Sequence, residues 1–235
     1  MELVIFDLDG TLVDSQIDLA NAVNAARAHM GLPPLANERI YSYVGNGAPV
    51  LMRRAMGPDA GPADVQRALD FFLPYYRDHM LDNTRLYPGV QEALDSLRAA
   101  GVQLAVLTNK PVRFSQAIVD GLGLGGHFAR VYGGNSFPEK KPHPIGIHTL
   151  MNELSVGAGS TVMVGDSAVD VQTARNAGVM ACGVSFGFQP ETFAEHPPDL
   201  LVDDMRRLAD WVLSHPAAAS SKSGNQSRPG KHWGG

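Results

Sequence analysis

Cysteine is almost absent from this chain: Cys182 stands alone among 235 residues. A lone cysteine excludes an internal disulfide framework and a cysteine-rich zinc site. Basic residues are in deficit, with Lys+Arg at 19 against Asp+Glu at 24, for a formal net charge of −5. Docking on nucleic-acid phosphates needs a basic face, so no nucleic-acid partner is expected. No apolar run approaches the roughly 20 residues needed to span a bilayer, so no membrane partner is expected either. The opening stretch MELVIFDLDGTLVD carries acids and no basic leader. It does not read as a secretory signal, and a reducing, cytoplasmic setting is the default expectation. The rest is ordinary globular composition, 44% hydrophobic and 18% charged, enough for a real core.

Short β-branched runs punctuate the sequence: Leu3-Val4-Ile5-Phe6, residues 102–107, Thr161-Val162-Met163-Val164 and residues 180–184. They are apolar at consecutive positions, the pattern of strands covered on both faces of a parallel sheet. Helix-period segments lie between them. One opens after Pro88, runs through Val90, Ala93, Leu94 and Leu97, and stops at Gly101; another spans about 168–176 and ends at Gly178. The alternation predicts an α/β doubly wound, mostly parallel, Rossmann-like sheet, with ligands at the carboxyl ends of its strands. Residues 16–82 break it with helical periodicity alone (Ile17, Leu19, Ala20, Val23; Val65, Ala68, Leu69, Phe72). The expected organisation is a core of residues 1–15 and 83–215 with an inserted all-helical cap at 16–82, able to hinge over the strand ends. The sheet is expected to resume near residue 83. The tail, 216–235, is poor in aliphatic residues and free of Asp and Glu, a composition of disorder.

Chemistry-bearing residues gather where strands end. Asp7-Leu8-Asp9-Gly10-Thr11 follows the first apolar run. Two carboxylates so placed repel and raise each other's pKa unless a cation lies between them, although Asp-Gly is also a common turn. Gly165-Asp166-Ser167-Ala168-Val169-Asp170 follows another run. Ser167 and Asp170 fit a helix-capping box, which leaves Asp166 unexplained and facing the same crevice as Asp7. Several converging carboxylates make a hard-oxygen site, suited to Mg²⁺ better than to Zn²⁺. Thr108 and Asn109 end the 102–107 run, where a hydroxyl and backbone N–H groups suit a phosphoryl oxygen. Lys141, in Lys140-Lys141-Pro142-His143-Pro144, would offset carboxylate repulsion and hold a phosphate if it lies near them. Gly121 to Gly126 matches Gly-x-Gly-x-x-Gly but follows a helix-like segment, so it fails the context of a dinucleotide fingerprint. His143 and His148, five apart, do not align on a helix face.

Asp-x-Asp-Gly-Thr, then Thr, then Lys, then Gly-Asp-Ser-x-x-Asp resembles, in order and placement, the haloacid dehalogenase-like superfamily over nearly all of residues 1–213. The resemblance implies Asp7 as nucleophile and Asp9 as general acid/base. It also implies Thr108 and Lys141 as phosphate binders with Asn109 beside them, Mg²⁺ held by Asp7, Asp9 and Asp166, and Asp170 behind the ligands. Dehalogenases of the superfamily lack a carboxylate at the position of Asp9, so the reaction implied is phosphate-ester hydrolysis or phosphoryl transfer. Thr11 to Ser15, Asp18-Leu19-Ala20, Val44 to Ala48 and Arg54-Ala55 are similar to phosphoglycolate phosphatases. That similarity implies a small phosphate-ester substrate, 2-phosphoglycolate, split to glycolate and phosphate through an aspartyl-phosphate. Gly47 and Arg54, or Arg53 in its place, would then be cap contacts. The alternatives are a sugar-phosphate mutase, a phosphatase for another small ester, and a receiver-like phospho-acceptor, a class without an inserted cap.

Overall fold

The four apolar runs form the middle of the main sheet. The computed structural model describes residues 1–215; the expectation for 216–235 lies outside the described residues. Strands β1 (Leu3–Phe6), β4 (Gln103–Leu107), β5 (Arg130–Tyr132), β6 (Thr161–Gly165), β7 (Met180–Val184) and β8 (Leu200–Val202) make a six-stranded sheet in the order β5-β4-β1-β6-β7-β8. Every pairing in it is parallel. Side chains alternate between its faces. Val4 and Phe6 join Val106 and Val164 in one apolar cluster, while Leu3 and Ile5 join Ala105 and Met163 in the other. Helices α5 (Val90–Ala99), α6 (Val112–Gly121) and α9 (Met205–Ser214) cover the first face; α7 (Ile145–Leu154) and α8 (Ala168–Ala177) cover the second. Both faces are dry, which is why these strands read as unbroken apolar runs.

Between β1 and β4 the chain leaves the sheet. Helices α1 (Gln16–His29), α2 (Asn37–Tyr41), α3 (Ala48–Met56) and α4 (Pro62–His79) pack together. Leu19, Ala20, Val23, Val65, Ala68 and Phe72 are buried, whereas Ile17, part of the apolar pattern, is 46% exposed. The two crossings are tied by a two-stranded antiparallel ribbon, β2 (Val13–Asp14) against β3 (Arg85–Leu86). Contrary to the sequence expectation, no strand of the main sheet begins near 83; the main sheet resumes at Gln103. A two-residue strand bearing an exposed arginine has no periodicity to detect. Beside the ribbon, the buried Asp18 carboxylate accepts from the backbone N–H groups of Asn83 and Thr84 and from both their side chains, at 2.8–3.1 Å. One carboxylate thus fixes the start of α1 to the returning strand. Among the described residues no helix is long and apolar enough to cross a membrane.

Candidate active site

The carboxyl ends of β1, β4 and β6 meet under the helical insert. β1 delivers Asp7, whose Oδ1 accepts from the N–H of Leu8 at 2.7 Å. The following loop turns back at Gly10 (φ +82°), where a Cβ would lie 2.1 Å from Asp166 Oδ2. Glycine is required there both by the backbone conformation and by this contact. β6 delivers Asp166, oriented by the N–H of Phe188 at 2.6 Å. The capping box then forms at the start of α8, with the Asp170 carboxylate accepting from the Ser167 N–H and hydroxyl. Gly165 lets Asp170 lie against the strand end, since a Cβ at that position would meet its side chain at 2.1 Å.

Asp7, Asp166 and Asp170 each offer a buried carboxylate oxygen, all within 4.8 Å of one another. Lys141 Nζ lies 3.0 Å from Asp7 Oδ1 and 2.6 Å from Asp170 Oδ1. Burial pushes the Asp7 carboxyl up to about 6 against the pull of Lys141. Burial raises Asp166 well above the usual carboxylate range, and the charges of Asp170 and Asp7 add to it. Burial works against the Lys141 ammonium, but Asp170 and Asp7 outweigh it and hold its pKa above the ordinary lysine value. If all three carboxylates are ionised around a bound ion, they exceed the one ammonium by two negative charges, the amount a divalent cation neutralises. All-oxygen donors with no histidine or thiolate suit a hard cation. The residues therefore fit a divalent metal.

Asp9 stands apart from this group, contrary to the sequence expectation that it would be the third carboxylate there. Its two oxygens pair with Lys110 Nζ at 2.9 Å each, and Oδ1 also accepts from the Ser15 hydroxyl at 2.6 Å. With those donors the Asp9 carboxylate is already satisfied, and Asp170, expected behind the ligands, takes its place. Lys110 was not singled out in the sequence. Its signal was its place directly after Thr108-Asn109, at the same strand end. It is buried, bonds the Tyr76 hydroxyl of α4 at 2.6 Å, and lies 4.6 Å above that ring. Burial works against the ammonium, but Asp9 and Tyr76 raise its pKa above the ordinary value.

A chamber of about 50 Å³ opens between these strand ends and the insert. Asp7, Asp9, Thr108, Asn109 and Lys110 line it from below; Leu19, Val44, Leu51 and Phe72 line it from above. The loop before α3 is pinned over it through its carbonyls. Asn109 Nδ2 donates to Gly45 at 3.0 Å, Lys140 Nζ to Asn46 at 2.6 Å, and Gln189 Nε2 to Val44 at 2.9 Å. Gly47, at φ +85°, lines the chamber where the loop enters α3. Asn109 also donates to the Lys141 carbonyl at 3.1 Å. Both its amide hydrogens are thus engaged, and it acts as a brace between the loop and the lysine segment. Arg53 and Arg54 are exposed and outside the chamber lining; Arg54 donates to the Tyr43 carbonyl at 3.1 Å.

A family profile described as haloacid dehalogenase-like hydrolase matches residues 4–184. The chain belongs to the haloacid dehalogenase-like hydrolases. Similar members include "Phosphoglycolate phosphatase" of Pseudomonas syringae pv. tomato, 42% identical over 218 residues, covering 90% of this chain and 80% of that one. The protein of the same name from Chromobacterium violaceum is 42% identical over 217 residues, covering 90% and 96%. Among solved structures of this fold, a predicted phosphoglycolate phosphatase from Haemophilus somnus superposes with a TM-score of 0.85 at 34% identity, covering 90% and 97%. A haloacid dehalogenase-like hydrolase from Streptococcus pneumoniae, 23% identical, shares the fold with a TM-score of 0.80 over 90% and 98%.

Proposed function

We propose that this hydrolase is a Mg²⁺-dependent phosphatase acting on a small phosphate monoester, 2-phosphoglycolate first. The observation that carries the reading is the Asp7 carboxylate, bordering a small chamber and grouped with Asp166, Asp170 and Lys141. Asp7 attacks phosphorus in line, and its carboxylate becomes an acyl phosphate as the ester bond breaks. Asp9, held by Ser15 and Lys110 as a carboxylate, must first take up a proton, which it delivers to the leaving oxygen. It then takes one from the water that splits the acyl phosphate. Lys141 and the Thr108 hydroxyl hold the transferring phosphoryl oxygens, so catalysis rests on positioning and charge stabilisation. Asp7, Asp166 and Asp170 would hold the metal, which when bound neutralises charge on the phosphoryl group. The apolar upper wall excludes bulk water from the first step. The substrate named for the similar proteins is a short ester, which supports that substrate over a hexose phosphate.

The test is phosphate release from a panel of small esters with and without Mg²⁺. Metal-dependent release from 2-phosphoglycolate is expected. Isomerisation of a sugar phosphate without net release would instead make the protein a mutase, and a stable phospho-protein without turnover would make it a phospho-acceptor.

A further inference from the structure

The floor of the chamber accounts for a phosphoryl group, but a phosphorylated acid brings a second anion. Removing a carboxylate from water into a site walled by Leu19, Val44, Leu51, Phe72 and Phe114 is costly unless a cation and hydrogen-bond donors receive it. Sequence similarity pointed to Arg54 or Arg53 for that task, and both lie outside the lining. Lys140 is exposed and bonded to the Asn46 carbonyl. Among the described residues that line the chamber, Lys110 is the lone cation.

We propose that Lys110, together with the Tyr76 hydroxyl, recognises the carboxylate of a short phosphorylated acid and so sets the enzyme's specificity. This rests on the phosphatase reading above. The placement suits the chemistry of such a substrate. Lys110 is bonded to Asp9, the residue assigned to the leaving oxygen. In an ester built as phosphate–O–CH₂–COO⁻ a single methylene separates that oxygen from the carboxylate. A cation beside Asp9 is therefore at the correct end of the molecule. An ammonium has three N–H groups, and Asp9 and Tyr76 do not exhaust them when one N–H is shared between the two Asp9 oxygens. Burial pushes the Tyr76 phenol up to about 12, so it remains a neutral hydroxyl. It accepts from Lys110, and among the described residues nothing accepts its own proton, which is left to donate to a ligand.

The surroundings hold this pair in place. Tyr76 stacks on Phe72 with centroids 5.5 Å apart, and Phe114 meets its ring edge-on at 5.6 Å. Tyr76 belongs to α4 and Lys110 to the core, so the receptor is complete only when the insert is seated over the strand ends. A neutral alcohol in place of the carboxylate would form no ion pair with Lys110 here.

The experiment compares kcat and KM for 2-phosphoglycolate and 2-hydroxyethyl phosphate, in which CH₂OH replaces the carboxylate, using wild type, Lys110→Met and Tyr76→Phe. The wild type should prefer the acid. Lys110→Met should raise KM for 2-phosphoglycolate roughly tenfold to a hundredfold, as for loss of a hydrogen bond to a charged group, and should erase the preference. Any loss in kcat from disturbing Asp9 should fall on both esters alike. Tyr76→Phe keeps the ring packing and should reduce the preference by about three- to tenfold, the effect of one hydrogen bond. It remains informative if Lys110→Met does not fold. Equal losses for the two esters in both variants, or a wild type indifferent to the carboxylate, would overturn the assignment while leaving the phosphatase reading intact. A wild type that releases phosphate from no ester of the panel would remove that reading and this inference together.

Discussion

The core side presents Asp7 to the chamber and, grouped with it at the strand ends, Asp166, Asp170 and Lys141, all buried and each fixed by at least one short polar contact. The insert side presents Leu19, Val44, Leu51 and Phe72, one tyrosine hydroxyl, and a loop held down through backbone carbonyls. The floor can hold and transfer a phosphoryl group without knowing what is attached to it. The roof does no chemistry, but it determines what fits and when water enters. Lys110 joins the two, bonded to Asp9 below and to Tyr76 above. Charge is thus concentrated where the reaction is common to many esters, and shape and a single polar contact are left for the part that varies.

That division orders the expected effects of substitution. Asp7→Asn should lose turnover by about 10⁴-fold or more, as expected when a nucleophile is removed. Its thermal melt should remain cooperative; residual hydrolysis above a trace would take Asp7 out of its role. Lys141→Ala should cost about 10²–10³-fold in kcat, the effect of one preorganised electrostatic donor. Lys140→Ala, an exposed core lysine that reaches only the Asn46 carbonyl of the loop, should cost far less, and steady-state rates for the pair show whether the floor lysine is correctly chosen. Gln189→Ala removes two carbonyl contacts to the loop over the chamber. At about 1 kcal/mol for a neutral hydrogen bond, it should raise KM several-fold and speed proteolysis of that loop without changing metal affinity. Arg54→Ala should leave KM within about twofold, as for an exposed side chain.

The floor also predicts a dependence on pH. Asp7 is raised in the folded state from 3.8 to about 6. Between those values the folded protein binds more protons than the unfolded chain, so stability falls as pH rises. The metal-free protein should melt at a higher temperature near pH 5 than above pH 7, and Mg²⁺ should restore the difference at the higher pH. Thermal melts in chelator and in Mg²⁺ check both signs.

Much of this was legible from residue order because the floor is built at the ends of buried strands. Apolar runs mark β1, β4 and β6, and polar residues directly after them are confined to one rim. Asp170 was legible from its spacing as a capping residue, and from the family resemblance as a residue behind the ligands. Its second role, against Lys141 and Asp7, depends on how closely Gly165 lets it approach. Asp9 and Lys110 form a pair 101 residues apart in the chain, and no local pattern announces such a partner. The edge strands β5 and β8, three residues each and partly exposed, lack the burial that makes a strand visible. The roof was legible as helices but not as contacts. The family resemblance pointed to Arg54, yet on α3 that side chain is exposed and outside the chamber lining.

The most direct test of the account is calorimetric titration of Mg²⁺ into the wild type, Asp166→Asn and Asp9→Asn. If the buried group of Asp7, Asp166 and Asp170 holds the ion, Asp166→Asn loses the binding heat and Asp9→Asn retains an affinity near that of the wild type. Retained affinity in Asp166→Asn together with lost affinity in Asp9→Asn would contradict it.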